Sequence, residues 1–259
     1  MNLTERKMVA LLKELMEKHA AVGVKAEFEA EGTRTEELMR LKEICLSAGI
    51  LLTLKIGGCE AVRDMYDARA IGVNHLVAPM VETPFALRKY LKAINVAFPE
   101  DEQEKVEFLI NIETIQAVRM FNEMLGIPEI EKLDGIVFGR SDLIGSMGLG
   151  KDEINSEKVL AIAKDVFRQA KEKGMTCVIG GTISISSLPF LRQLSNLLDR
   201  YETRKICFAS SDALEKDPVG GINKALDFEL LWLQNKQNYY KAISEEDLKR
   251  MLILKERGK

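Results

Sequence analysis

Short apolar runs alternate with segments of helical period along most of the chain. The first twenty residues place Met8, Leu11, Leu12, Leu15 and Met16 on one helical face, which predicts a helix over 3–19. VGVKAEFEAE (22–31) reads as a strand with polar residues interleaved. Thr33 to Glu36 resembles a capping box, and Leu38, Leu41, Ile44 and Cys45 give the following helix its stripe up to Gly49. The same alternation then repeats. ILLTLKIG, VNHLVAPM, VEFLINIE, LDGIVFG, MTCVIGG and KICFAS read as strands. Helices are expected over 60–70, 83–97, from Glu113 to about Leu125, over 156–173, over 187–198, and from Ile222 onward, with Ser244 capping a last charged piece. Glycines 49, 72, 126 and 174 stand where these helices should stop.

Strand and helix in strict alternation imply parallel pairing, because parallel neighbours need a crossover connection. The fold expected is α/β: a TIM-type (β/α)8 barrel of parallel strands, in one domain spanning 1–259 with a helical extension over 222–259. An open doubly wound sheet is the alternative, and the absence of a GxGxxG turn or a P-loop counts against it. Seven strands can be counted, so the first strand of the barrel is expected to be missing or irregular. Composition narrows the function. A chain of 259 residues that is 46% hydrophobic can bury a large core. A net charge of −3 without a basic block argues against nucleic acid. No apolar run reaches the roughly 20 residues of a membrane span. The charged, amphipathic start does not read as a secretory signal, and the four scattered cysteines fit a reducing, cytoplasmic compartment.

In a barrel of this kind chemistry sits at the C-terminal strand ends. The polar residues there are Glu29, Glu31, Lys55, Glu82, Thr83, Glu113, Arg140 to Asp142, Thr182, Ser184 and Ser210 to Asp212. Glu113 and Asp142 end consecutive strands, which lie about 4.8 Å apart, so they could share one small ligand or a hard cation. The plainer reading is that each caps the helix or turn that follows it. Arg140 is either an anion clamp or a surface residue tied to a nearby acid. His19 is read as a solvated helix end and His75 as lying at the far end of the barrel, so histidine acid–base chemistry is not expected. Arg204 and Lys205 precede the last strand and are read as structural. Trp232, Tyr239 and Tyr240 are read as packing or subunit contacts.

The ordered set FEAEGTRTEEL, TLKIGG, GVNHLVAPMVET, INIET, GIVFGRSDLIGSMG and FASSD resembles the HpcH/HpaI aldolase and citrate lyase β-subunit family, of the phosphoenolpyruvate/pyruvate-binding barrels. The resemblance spans roughly residues 22–235. It implies a divalent cation, Mg²⁺ or Mn²⁺, on Glu113 and Asp142. It also implies a substrate carboxylate at the backbone of Gly139, Arg140, Ser141 and Asp142, where successive amides form an anion nest. The chain departs from the family pattern in four places: Lys55 stands for an arginine, Glu31-Gly32 for Glu-His, Arg140 for a proline, and the family's first strand is absent. The implied activity is metal-dependent carbon–carbon lyase chemistry on a 2-oxo acid such as pyruvate, with an aldehyde as partner. Lys55, Glu31 and Arg140 would be the catalytic residues. The alternatives are an acyl-thioester lyase and a barrel that has kept its site but lost catalysis. A homo-oligomer is implied by the resemblance alone.

Overall fold

The computed structural model describes residues 1–258. The chain opens with α1 (Leu3–His19), β1 (Ala21–Glu27), α2 (Thr35–Ala48), β2 (Leu51–Lys55), α3 (Val62–Ile71) and β3 (His75–Ala78). It continues through α4 (Pro84–Ala97), the single turn α5 (Glu100–Gln103), β4 (Glu107–Ile112), α6 (Ile115–Leu125), β5 (Gly135–Gly139), α7 (Arg140–Ser146) and α8 (Glu157–Glu172). Then follow β6 (Thr176–Gly180), α9 (Leu188–Arg192), β7 (Arg200–Glu202), β8 (Ile206–Ala209), α10 (Ser210–Glu215) and α11 (Pro218–Arg257).

The eight strands close into a barrel in chain order. The barrel expectation therefore stands, with two corrections. The eighth strand does not come from the start of the chain. It is Arg200–Glu202, a three-residue strand beside β6. The pairs from β1–β2 to β6–β7 are parallel, but β8 turns back from β7 and pairs antiparallel with both β7 and β1. A three-residue connection (203–205) suffices because an antiparallel return needs no crossover helix. The last strand thus runs from the C-terminal end of the parallel strands down to the other end. Ser210–Asp212, expected among the catalytic candidates, start α10 at the far end instead.

Alternation along each strand sorts side chains between the two faces. Outward residues such as Leu52, Leu54, Phe108, Ile110, Ile136, Phe138 and Ile179 join the main core beneath the helices. Inward, Val77, Leu109, Val137 and Val178 form a separate apolar layer across the barrel axis, as expected when alternate strands fill such a barrel in layers. Polar layers lie above and below it. The lower one holds Thr53, whose Oγ1 is 2.9 Å from His75 Nδ1, and Arg200, which donates to Glu107 at 2.6 Å. His75 lies at the far end of the barrel, as read. His19, read as solvated, is buried, with Nδ1 3.1 Å from the Asp217 carbonyl oxygen.

Several helix boundaries also differ from those expected. α7 was not anticipated, and α9 is only five residues long. α2 begins one turn position later than the expected box: the Arg34 amide donates to Glu37 Oε2 at 3.1 Å. α11 runs unbroken through Ser244, so no cap forms there. Buried residues of α11 end at Asn235, and every described residue from Lys241 on is exposed. No helix among the described residues is long and apolar enough to cross a membrane.

The lower layer gives the fold a pH dependence. Burial, then the Arg200 guanidinium, pushes the His75 imidazole down to about 4, with Glu107 opposing. Between the ordinary histidine value and about 4 the unfolded chain binds a proton that the folded protein refuses. Stability therefore falls as pH drops through this window, by at most about 3 kcal/mol. In denaturant titrations at pH 7.5 and pH 5, His75→Gln should show a smaller loss between the two pH values than the wild-type chain.

Candidate active site

The upper end of the barrel carries a dense set of charged side chains. Lys25 on β1 sits 3.0 Å from Glu27 and also bonds Glu202 of β7. Lys55 at the end of β2 lies 2.8 Å from Glu29 and 3.4 Å from Glu113. Lys205 bonds Glu31, and Arg204 stands 3.8 Å from Glu31 and 3.9 Å from Glu27. Five carboxylates and four cations thus converge. Most are buried; Glu29, at 33% side-chain exposure, and Arg204, at 52%, are the open ones. Burial alone would lower the Lys25 ammonium, but Glu202 and Glu27 outweigh it and hold it raised. Lys55 follows the same logic, with Glu113 and Glu29 overcoming burial. For Lys205 burial wins and the ammonium is lowered, against the pull of Glu31.

Arg204 and Lys205 were the residues missed by sequence reasoning. They precede the last strand, and in a parallel barrel that is the wrong end. The reversal of β8 brings them to the mouth. The chemical signal was present, two adjacent cations before an apolar run, but the strand's direction was not. Trp232, read as packing, is buried, and its ring centroid lies 5.8 Å from Lys205 Nζ.

The expected site residues separate into two groups. Glu113 reaches the mouth from the end of β4. Its Oε1 accepts from the Met80 amide at 2.9 Å and its Oε2 from Asn111 Nδ2 at 2.6 Å. Met80 holds a left-handed backbone, φ 53°, which aims that amide. Across from Glu113, β5 ends in Gly139. A Cβ there would come 2.7 Å from Glu113 Cβ and 3.0 Å from Oε2, so the glycine is what lets the glutamate lie flat over β5. The amides of Arg140 and Ser141 face Gly181. The space a side chain at Gly181 would fill lies 2.7 and 2.6 Å from those nitrogens, close to hydrogen-bonding distance for an anionic oxygen. Ser141 Oγ is 2.9 Å from Thr182 Oγ1 on the same rim.

Two catalytic expectations are corrected. Arg140 is neither an anion clamp nor a surface residue. It is fully buried and donates to the carbonyls of Gly180 and Gly181, to Asn155 and to Ser187. Burial pushes its guanidinium down to about 10, and its role is to tie the end of β5 to the loop after β6. Glu31 is held by Lys205 and Arg204. Lys55 instead meets Glu29, two residues earlier, and Glu113. Glu82 accepts from Thr114 Oγ1 at 2.5 Å, and Thr83 caps α4 in its place, with Oγ1 3.1 Å from the Ala86 amide. The Cys59 thiol is raised by burial, which argues against a nucleophile.

The resemblance implies a divalent cation on Glu113 and Asp142, and the donors there decide whether one fits. Glu113 and Asp142 are oxygen donors of the right hardness. Both Glu113 oxygens, however, are already engaged by donors, one of them by the Lys55 ammonium. Asp142 is exposed and lies on α7. No group of three metal-ligating side chains converges among the described residues. As arranged, the residues do not offer a divalent cation a seat.

Residues 58–185 match the model of the HpcH/HpaI aldolase/citrate lyase family. Comparison with curated proteins returned no match. Among solved structures the fold is similar to an HpcH/HpaI aldolase from Desulfitobacterium hafniense DCB-2, at 14% identity over 78% of this chain and 83% of that one, TM-score 0.61. It is also similar to the citrate synthase SbnG, at 14% identity over 89% and 99%, TM-score 0.60. A third is an HpcH/HpaI aldolase/citrate lyase family protein from Burkholderia cenocepacia J2315, at 13% identity over 92% and 99%, TM-score 0.57. The likeness to the HpcH/HpaI aldolase/citrate lyase family is thus carried by residues 58–185, and the barrel as a whole is similar in fold to the solved structures of that name. The matched span includes Glu113 and Gly139–Asp142. It excludes Glu27–Glu31, Lys55 and the β7–β8 hairpin.

Gly139→Ala should press on Glu113 and cost about 1–3 kcal/mol by overpacking. Thermal denaturation of that variant, read beside Gly145→Ala, where a Cβ meets nothing within 4 Å, checks the assignment: the loss should appear only at position 139.

Proposed function

We propose that this barrel makes or breaks a carbon–carbon bond beside the carbonyl of a small 2-oxo acid such as pyruvate, with an aldehyde as the partner fragment. The observation that carries the reading is the junction of Lys55, Glu29 and Glu113 at the strand ends, beside an amide-lined gap. Breaking a bond next to a carbonyl leaves an enolate, and a fixed positive charge in a dry site stabilises that charge as it forms. Lys55 supplies it. The substrate carboxylate is taken by the amides of the Gly139–Asp142 turn, in the gap that Gly181 keeps open. Ser141 Oγ stands at its edge.

Proton transfer at the substrate methyl carbon falls to Glu29. It touches Lys55, and it is the carboxylate of the mouth most open to a bound ligand. A carboxylate placed there can take a proton from that carbon and return it when the enolate is reprotonated. The citrate synthase among the similar structures works on the same class of bond by its name, and synthesis and cleavage share one transition state read in opposite directions. A thioester partner in place of an aldehyde is compatible with the same enolate. A second reading, a barrel that binds but no longer turns over, is favoured by one observation: the mouth's charges are largely satisfied by one another.

Exchange of pyruvate methyl protons with deuterated water separates these readings. The catalytic reading expects exchange in the wild-type protein and a fall of about 100-fold or more in Lys55→Met, the scale of losing one preorganised electrostatic contact. No exchange in the wild-type chain, with pyruvate still bound, establishes the second reading.

Assembly into a homo-oligomer is proposed through α11. From Lys241 on this helix is exposed, with Leu248, Met251, Leu252 and Leu254 bare. A lone helix of this length is marginal in water without a packing partner. Removing residues 244–259 should lower the mass measured by light scattering to that of one chain while leaving the barrel's circular dichroism in place.

A further inference from the structure

The family's divalent cation and the arrangement of Glu113 are in conflict, and the conflict has a specific cause. Lys55 Nζ stands 3.4 Å from Glu113 Oε2 and 2.8 Å from Glu29 Oε2, bridging the two acids. Asn111 occupies another direction at the same Glu113 oxygen, and the Met80 amide takes the opposite oxygen. The glutamate is 2% exposed. A divalent ion reaching Oε2 would stand beside an ammonium in a poorly screened place, where like charges repel strongly. The rest of the mouth needs no further positive charge, since four cations already face five carboxylates.

We propose that the Lys55 ammonium is a built-in replacement for the divalent cation at Glu113, and that the mouth takes up such an ion only when Lys55 is removed. The side chain is tethered, so it costs no binding equilibrium and is present at every turnover. An ammonium can donate a hydrogen bond to a developing enolate oxygen, in place of the Lewis-acid contact that a metal provides. Its role as electrophile rests on the lyase reading above; its role as a counter-charge to Glu113 does not.

Mn²⁺ alone is the probe, followed by the loss of its free electron paramagnetic resonance signal. The wild-type chain should show no binding that depends on Glu113 up to about millimolar ion. Lys55→Met leaves Glu29 and Glu113 without their shared cation. It should bind Mn²⁺ roughly a hundred-fold or more tighter than the wild type, and Lys55→Met/Glu113→Gln should lose that gain. Wild-type binding that disappears in Glu113→Gln overturns the proposal, and this arm needs no Lys55 variant to fold. Absence of any gain in a Lys55→Met protein with native circular dichroism overturns it equally. Neither outcome bears on proton exchange from pyruvate, so failure here and failure of the lyase reading are separately visible.

Discussion

A charge shut inside a barrel must find its opposite there, and most of the upper half of this molecule follows from that requirement. Lys25 points into the axis from β1 and is met by Glu27 of the same strand and Glu202 of β7. Placing three such groups in a poorly screened interior carries a large desolvation cost. Close, well-aligned pairing offsets it, and loss of one partner leaves a buried charge that typically costs about 3–5 kcal/mol. The pairing also spans the weakest part of the wall. β7 has three residues, and β8 meets β1 with a register shift between Ala21 and Gly23. The ionic contacts from Lys25, Lys205 and Arg204 stitch the same seam from within.

The parts of the fold that could be read from the chain were those with apolar residues on the outward face. Strands such as ILLTLK and EFLINI show continuous or alternating apolarity, because their outer residues meet helices and their inner ones meet the valine and leucine layer. RYE at 200–202 offers one apolar residue, Tyr201, between two charges that both point inward, so it looks like loop. Strand direction is harder still: nothing in KICFA distinguishes a strand rising from one descending. That single ambiguity moved Ser210–Asp212 to the wrong end and hid Lys205. Glu113 and the Gly139–Asp142 turn were legible because they follow apolar runs. Arg140 was not, since its partners are carbonyls and small polar groups brought in from the segment before α8 and from the end of β6 and the loop after it.

The division within the site matches the division in the sequence. The stretch that carries the family signature supplies Glu113, the glycine beneath it and the amide-lined turn. The stretches outside it supply Lys25, Glu29, Lys55 and the hairpin cations. One half is a buried glutamate beside a turn whose amides face an open gap; the other is filled with lysines and glutamates that answer one another. Substitution of a long cation into such a place changes what the neighbouring carboxylates can accept, without changing the backbone that presents them.

The reversed last strand has one more effect, on where the C-terminal helix goes. Because β8 descends, α11 starts at the far end of the barrel and climbs, pairing Asn235 with Asn2 and Tyr240 with Glu37 at the level of the mouth. Had β8 risen like its neighbours, the helix after it would descend and leave from the opposite face. Residues 241–257 instead continue for roughly 25 Å at 1.5 Å per residue past the rim of the charged mouth. A fluorophore attached near Leu254 would stand beyond the rim that carries the charged mouth, and anything that grips this helix, whether surface, antibody or support, would hold the molecule by that end.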